Sequence, residues 1–207
     1  MSCKLKFCGL RREEDIEYAN ETSPDYIGFV FAKSKRQISN DTAKILKKRL
    51  KYGIISVGVF VDCPLEEIVE YNDAANVFQL HGNEDAQYIS KLRTLLPHKE
   101  IWKAVRVRNA DDIANAMALD ADKFVFDAFS PSAYGGTGLT LDFDLITSTR
   151  QLIDRPFFIA GGINADNIAE TEARLEPFGI DLSSGIETDG YKDLQKMKAI
   201  TSILKRR

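Results

Sequence analysis

The sequence has few of the residues that mark secreted, zinc-binding or membrane proteins. Its 207 residues include three cysteines and two histidines. An odd number of cysteines without a C-x-x-C pair disfavours both a disulfide framework and a zinc site. No apolar run approaches the roughly 18 residues that a membrane helix needs. The first residues are polar and basic, so we expect no signal peptide and predict a cytoplasmic protein without a membrane partner.

The charge and composition narrow the choice of partner further. A net charge of −3 is not that of a nucleic-acid-binding domain, and we predict no nucleic-acid partner. Hydrophobic residues make up 44% and charged residues 29% of the chain, which is the composition of an ordinary globular domain. No linker or change of composition interrupts the sequence. We therefore predict a single compact domain over residues 1–207.

Short apolar segments alternate with amphipathic helical segments along the whole chain. Eight strands are predicted, at Lys4–Cys8, Tyr26–Phe31, Ile54–Val61, Val77–Leu80, Ile101–Val105, Phe124–Asp127, Phe157–Ala160 and Ile180–Ser183. Several are continuous apolar runs, which are typical of a parallel sheet covered by helices. Eight strand–helix units predict an α/β fold of the (β/α)₈ TIM-barrel type. A doubly wound open sheet is the alternative, but its G-x-G-x-x-G fingerprint does not follow the first strand.

Two residues at predicted strand ends have side chains suited to proton transfer. Asp127 ends the sixth strand and precedes a loop with glycines at 135, 136 and 138, whereas Cys8 ends the first strand beside Gly9. In a closed barrel the carboxyl ends of all strands meet at one rim, where the chemistry takes place. We therefore expect Cys8 and Asp127 to form a thiol–carboxyl pair. Each also has a simpler interpretation: Cys8 as a small buried hydrophobic residue, and Asp127 as a turn residue.

The loops after the seventh and eighth predicted strands have the composition of a phosphate site. Gly161 and Gly162 follow the seventh strand, and Ser183, Ser184 and Gly185 follow the eighth. Barrels commonly bind phosphate there through backbone N–H groups, which glycine leaves accessible. A plain turn is the alternative for either loop alone. Two such loops in succession favour phosphate.

Strand alternation predicts one buried ion pair. Leu5 and Phe7 share one face of the first strand, so Lys6 lies on the opposite, inner face. The same argument places Asp181 of the eighth strand inside. The first and eighth strands are neighbours in a closed barrel, and a buried lysine needs a partner. We therefore predict that Lys6 and Asp181 are paired.

Seven short motifs in order give the chain a family resemblance. They are K-F-C-G-L-R at Lys6–Arg11, S-K-R-Q-I-S at Ser34–Ser39, G-V-F-V at Gly58–Val61, Q-L-H-G at Gln79–Gly82, F-D-A…G-G-T-G at Phe126–Gly138, A-G-G-I-N at Ala160–Asn164 and D-L-S-S-G-I-E at Asp181–Glu187. Over essentially its whole length the chain resembles the N-(5′-phosphoribosyl)anthranilate isomerases of tryptophan biosynthesis. The resemblance implies a (β/α)₈ barrel without a metal or organic cofactor. It also implies an Amadori rearrangement of a small phosphorylated sugar-amine substrate.

The resemblance further implies a role for individual residues. Asp127 is expected to be the general acid, Cys8 the general base, and Arg36 the residue that holds the anthranilate carboxylate. The expected substrate-binding residues are Gly136 and Gly138 in the loop over the acid, and Gly161, Gly162, Ser183, Ser184 and Gly185 around the phosphate. Two residues depart from the family pattern: Arg11 stands where threonine is frequent, and Lys35 stands where a proline often precedes the arginine. Lysine restrains the backbone φ less than proline does, so of these expectations the sequence restrains the position of Arg36 least.

Two rival functions remain at this point. A metal-dependent pentose-phosphate epimerase shares the fold and phosphate loops, but it needs more histidine and carboxylate ligands than His81 and His98 supply. A catalytically silent barrel that binds phosphorylated ligands is the other rival, and the presence of both Cys8 and Asp127 argues against it. The sequence leaves monomer and homodimer equally open.

Overall fold

The computed structural model describes residues 2–128 and 143–205. In these two ranges eight parallel strands close into a barrel in chain order, with the last strand pairing with the first. The strands are β1 Lys4–Cys8, β2 Tyr26–Val30, β3 Ile55–Phe60, β4 Val77–Leu80, β5 Glu100–Val107, β6 Lys123–Ala128, β7 Phe157–Ile159 and β8 Gly179–Leu182. The predicted barrel is confirmed. The predicted strand ends differ from the observed ones by at most two residues.

Helices connect the strands around the outside of the barrel. They are α1 Glu13–Thr22, α2 Asn40–Lys47, α3 Leu65–Ile68, α4 Ala86–Leu95, α5 Ala110–Met117, α6 Phe143–Ser148, α7 Ile168–Leu175 and α8 Leu194–Lys205. A short antiparallel hairpin, β9 Glu187–Thr188 and β10 Tyr191–Lys192, lies between β8 and α8. Within the described ranges, none of the helices combines the length and apolar character needed to cross a membrane.

Polar side chains cap the starts of several helices. Those of Ser39 and Asn109 accept hydrogen bonds from backbone N–H groups three residues later, as an N-cap does. α7 begins after Asn167, whose side chain accepts from the Asn164 N–H. Asp62 accepts hydrogen bonds from the backbone and side chain of Asn83. It therefore joins the loops after β3 and β4.

Apolar side chains form one layer outside the sheet and a second cluster inside it. Phe124 and Phe126 belong to the outer layer, and the intervening Val125 belongs to the interior. Inside, Tyr26, Trp102 and Phe158 contact one another with ring centroids 4.7–5.6 Å apart. Because alternate side chains of each strand face the interior, β6 directs Asp127 to the same side as Val125.

The predicted buried ion pair between β1 and β8 is present. The two residues are register partners, and Lys6 Nζ lies 2.6 Å from Asp181 Oδ2. The Lys6 side chain is fully buried and that of Asp181 is 8% exposed. Burial disfavours the Lys6 ammonium, but the adjacent Asp181 carboxylate outweighs this effect and raises the pKa of Lys6. A lysine therefore stays charged inside the barrel.

Candidate active site

A cavity of about 360 Å³ opens at the carboxyl ends of the strands. The residues that line it are Cys8, Val30, Ala32, Lys33, Ser34, Arg36, Val59, Val61, Gln79, His81, Asp127, Ala160, Gly161, Gly162, Ile163, Asp181, Ser183 and Ser184. Seven residues predicted from the sequence are among them, drawn from strand ends and loops far apart in the chain. Barrel closure thus places the predicted thiol, carboxyl, arginine and glycine loops around one space.

Cys8 ends β1 with its side chain packed against β2. A methyl group placed on Gly28 would lie 2.6 Å from Cys8 Sγ, so the glycine provides the space that the thiol occupies. Burial raises the pKa of the Cys8 thiol, while the nearby ammonium groups of Lys6 and Lys192 act in the opposite direction. The site therefore holds a neutral thiol with cations close enough to stabilise its thiolate.

Asp127 is the second-last residue of β6 and is 4% exposed. Its Oδ2 lies 3.4 Å from His81 Nε2, and His81 Nδ1 lies 3.4 Å from the Gln79 amide nitrogen. His81 directly follows β4 and makes this contact as a hydrogen-bonded residue at a strand end. Gln79 and His81 thus connect the end of β4 to the carboxyl group of Asp127.

Three buried polar atoms around the cavity lack a hydrogen-bond partner within the described residues. They are Gln79 Oε1, Asp181 Oδ1 and His81 Nε2, whose 3.4 Å approach to Asp127 Oδ2 does not have the geometry of a hydrogen bond. A fourth such atom among the described residues, Asn40 Oδ1, belongs to a residue that does not line the cavity. A buried polar atom without a partner costs roughly 1–3 kcal/mol. These three atoms are available for hydrogen bonds to the polar groups of a ligand in the cavity.

Arg36 reaches the cavity from the loop after β2. Its Nε and Nη2 each donate to Glu187 in the hairpin after β8, both at 2.7 Å. The arginine side chain passes over Gly9, whose φ is +82° and where any Cβ would collide with Arg36 Cδ. The interaction with Glu187 fixes the plane of the guanidinium, as bidentate pairs do.

Glu187 is itself held by two cations. Lys192 Nζ lies 2.7 Å from Glu187 Oε1 and donates to the Ser183 carbonyl at 3.0 Å. Although burial acts in the opposite direction, Arg36 and Lys192 lower the pKa of Glu187 to about 2. Sequence reasoning did not identify Glu187 or Lys192 as site residues. The available signal was the acidic end of the D-L-S-S-G-I-E motif, which follows the predicted phosphate loop.

The loops predicted to bind phosphate lie side by side. Gly161 and Gly162 have φ of +89° and +66°, conformations that favour glycine. Ser183 Oγ donates to the Cys8 carbonyl at 3.2 Å, which connects the end of β8 to that of β1. Gly185 does not line the cavity, and instead packs so closely against the Ile163 carbonyl that a Cβ would overlap it. The predicted Gly136 and Gly138 lie outside the described residues.

Comparisons with known proteins show the family of this chain. The family model for N-(5′-phosphoribosyl)anthranilate isomerase matches residues 5–202. The isomerase of Endomicrobium trichonymphae is 46% identical over 204 residues, which cover 98% of each chain. The phosphoribosyl anthranilate isomerase structure from Thermotoga maritima superposes with a TM-score of 0.87 at 31% identity, covering 99% of this chain and 100% of that one.

A further solved structure includes a ligand. It is a phosphoribosyl anthranilate isomerase in complex with reduced 1-(o-carboxyphenylamino)-1-deoxyribulose 5-phosphate, with a TM-score of 0.84 and 30% identity over 99% of this chain and 100% of that one. The chain therefore belongs to the N-(5′-phosphoribosyl)anthranilate isomerase family, a family of aldose–ketose isomerases.

Proposed function

We propose that this isomerase of tryptophan biosynthesis converts N-(5′-phosphoribosyl)anthranilate to 1-(2-carboxyphenylamino)-1-deoxy-D-ribulose 5-phosphate, with Asp127 as general acid and Cys8 as general base. The observation that carries the proposal is the meeting of these two side chains at one cavity. Cys8 is the last residue of β1 and Asp127 the second-last of β6. They lie 119 positions apart in the sequence, and both line the same space of about 360 Å³. An acid and a base on separate strands can act on two different atoms of one substrate, here the ring oxygen and C2′ on either side of C1′.

In the first step Asp127 donates its proton to the ring oxygen of the ribose. The C1′–O bond breaks, and the anthranilate nitrogen supplies the electron pair that forms a protonated Schiff base. The Asp127 carboxyl is 4% exposed, which keeps bulk water from competing for the transferred proton. The neighbouring His81 Nε2, at 3.4 Å, provides a polar contact to the carboxylate that remains after transfer.

In the second step the Cys8 thiol loses its proton to solvent through the open cavity, and the resulting thiolate removes the proton from C2′. The electron pair of the C–H bond forms the C1′–C2′ double bond, neutralises the iminium and gives an enolamine, which tautomerises to the ketone. Burial raises the pKa of the free thiol, so this step needs positive charge nearby. Lys6, Lys192 and the substrate iminium provide it. The iminium acts only after the ring has opened, which makes the acid step a condition for the base step.

The remaining groups of the substrate find partners around the same cavity. We assign the phosphate to the backbone of Gly161 and Gly162 with Ser183 and Ser184, because N–H groups in such loops attract anions. The anthranilate carboxylate is assigned to Arg36, whose Nε and Nη2 bind Glu187, which leaves Nη1 for the carboxylate. The carboxylate and phosphate of the analogue bound by the related isomerase are groups of the same kind.

Turnover of the fluorescent substrate by matched variants tests the proposal. Cys8→Ala and Asp127→Asn should each lower kcat by roughly 10²–10⁴. Cys63→Ala, a cysteine outside the cavity, should retain activity close to wild type. NMR of the product should detect the C2′ ketone. Normal turnover by both the Cys8 and Asp127 variants would contradict the assignment, and no substrate loss with the wild type would favour a silent binding barrel.

A further inference from the structure

The arginine assigned to the substrate carboxylate stands on a short exposed turn. The Gln37 N–H donates to the Ser34 carbonyl at 3.2 Å, and the Arg36 N–H donates to Ser34 Oγ at 3.2 Å. Lys35 is the second residue of this four-residue turn, and its side chain is exposed. Because Arg36 is the third residue, a change in the backbone at Lys35 would redirect the Arg36 side chain. The turn therefore needs restraint from elsewhere in the chain.

Arg11, in the loop after β1, makes contacts that can supply this restraint. Its Nη1 donates to the Lys35 carbonyl at 2.6 Å, and its Nη2 donates to the Gly190 carbonyl at 3.0 Å. The same guanidinium lies 5.0 Å from the centre of the Tyr191 ring. One side chain thus connects the loop after β1, the turn after β2 and the tip of the β9–β10 hairpin.

The hairpin that Arg11 binds is the one that holds the Arg36 guanidinium. Its first residue is Glu187, the bidentate partner of Arg36. Arg11 therefore joins the backbone carrying Arg36 to the segment carrying Glu187. If either segment moves, the Arg36–Glu187 pair must lose its geometry or follow the movement.

We propose that Arg11 is a positioning residue, which holds the Ser34–Gln37 turn and the Glu187 hairpin together so that Arg36 meets the substrate carboxylate in a prearranged position. This inference rests on the proposed function of Arg36. Arg11 acts through the turn and takes no part in the chemistry. Without it, a smaller fraction of molecules has the binding geometry, and the apparent affinity for substrate falls by that fraction.

Arg11→Met tests the proposal, because it retains an unbranched chain and removes both hydrogen bonds. We expect KM for the substrate to rise about tenfold, with kcat close to wild type and a melting temperature little changed. Arg36→Ala removes the contact with the substrate carboxylate altogether, and its KM therefore gives the upper limit for the effect of Arg11→Met. Arg12→Met is the matched control. Arg12 also lies over the Tyr191 ring, at 4.7 Å, but its side-chain hydrogen bonds go to Asp15 in the first turn of α1, the helix that follows it.

A rescue variant distinguishes positioning from general stabilisation. Proline is favoured at the second position of such a turn and fixes φ there, so Lys35→Pro supplies a restraint that does not depend on Arg11. Arg11→Met/Lys35→Pro should recover most of the lost KM, and Lys35→Pro alone should stay close to wild type. An unchanged KM in Arg11→Met, an equal rise in Arg12→Met, or no recovery in the double variant would overturn the proposal.

Limited trypsin digestion separates this inference from the proposed function. Lys33, Lys35 and Arg36 are trypsin sites within or next to the turn, and cleavage there needs no substrate. Arg11→Met should be cut at these positions faster than wild type and Arg12→Met. If the wild type does not consume the substrate, the proposed function fails, and cleavage still decides whether Arg11 restrains the turn. Equal cleavage rates in all three proteins would show that it does not.

Discussion

Replacing Lys6 by methionine tests how the barrel interior tolerates charge. Lys6 Nζ lies 2.6 Å from Asp181 Oδ2, and the lysine side chain is fully buried. At an effective dielectric constant of about 20 the attraction at this distance is about 6 kcal/mol, and desolvation offsets much of it. Lys6→Met leaves the Asp181 carboxylate buried without its cation, which costs about 3–5 kcal/mol. For a chain of this length that loss lowers Tm by about 6–20 °C.

The same strand offers a matched control. Lys4 Nζ lies 2.8 Å from Asp25 Oδ1, but these side chains are 38% and 36% exposed. Lys4→Met should therefore cost only about 0–1 kcal/mol. Urea unfolding at pH 7 compares both variants with wild type and with Lys6→Met/Asp181→Leu, which should regain at least about 2 kcal/mol because no charge remains unpaired. Equal losses in Lys6→Met and Lys4→Met, or strictly additive losses in the double variant, would refute this reasoning.

Two further predictions concern the space around the thiol and the acid sensitivity of the Arg36 support. Gly28→Ala should lower kcat at least about tenfold and destabilise the fold by about 1–3 kcal/mol, because the added Cβ would lie 2.6 Å from Cys8 Sγ. Near-normal turnover would contradict the interpretation that Gly28 provides the space for the thiol. The pKa of Glu187, about 2 against an ordinary 4.5, means that its carboxylate stabilises the fold fully above pH 4.5 and progressively less as the pH falls toward 2. Glu187→Gln should thus cost about 1–2 kcal/mol at pH 7, after allowance for solvent screening, and the difference from wild type in urea unfolding should shrink between pH 4.5 and 2. A difference that does not depend on pH would contradict the role of the Glu187 charge.

Much of the fold could be predicted from patterns that span only a few neighbouring residues. Short apolar runs, alternating with amphipathic helical segments, located all eight strands of the barrel. They could do so because the strand preference of these runs agrees with their burial in the fold. The alternation of side chains then predicted which residues face inward. Together with barrel closure this was sufficient to pair Lys6 with Asp181, which are 175 positions apart. A prediction of this kind needs only the strand positions and their order.

The support of Arg36 could not be derived in the same way. Glu187 and Arg36 are 151 positions apart, and Glu187 lies in a two-residue strand without a sequence period to reveal its direction. The sequence suggested that Lys35 leaves the Arg36 loop less restrained. The structure places Arg11 against the Lys35 carbonyl, a contact between two irregular loops. Such contacts depend on loop conformations that periodicity does not determine.

The position of Gly185 has a related explanation. Its sequence context, S-S-G after a strand, is that of a phosphate loop, yet its missing side chain accommodates the Ile163 carbonyl of the neighbouring loop. Glycine permits close approach of any group, and the sequence does not say which group approaches. The assignment of Gly185 to the phosphate stays a prediction, and so do the roles of the other site residues.

The central claim is that Asp127 acts as the general acid and Cys8 as the general base, and a deuterium isotope effect at C2′ tests it most directly. Single turnovers of substrate carrying hydrogen or deuterium at C2′ are compared for Asp127→Asn and Cys8→Ala. In Cys8→Ala, removal of the C2′ proton should limit the residual rate, and deuterium should slow it clearly. In Asp127→Asn, ring opening should limit the rate, and the two substrates should react equally fast. A clear isotope effect in Asp127→Asn together with none in Cys8→Ala would contradict the assigned roles.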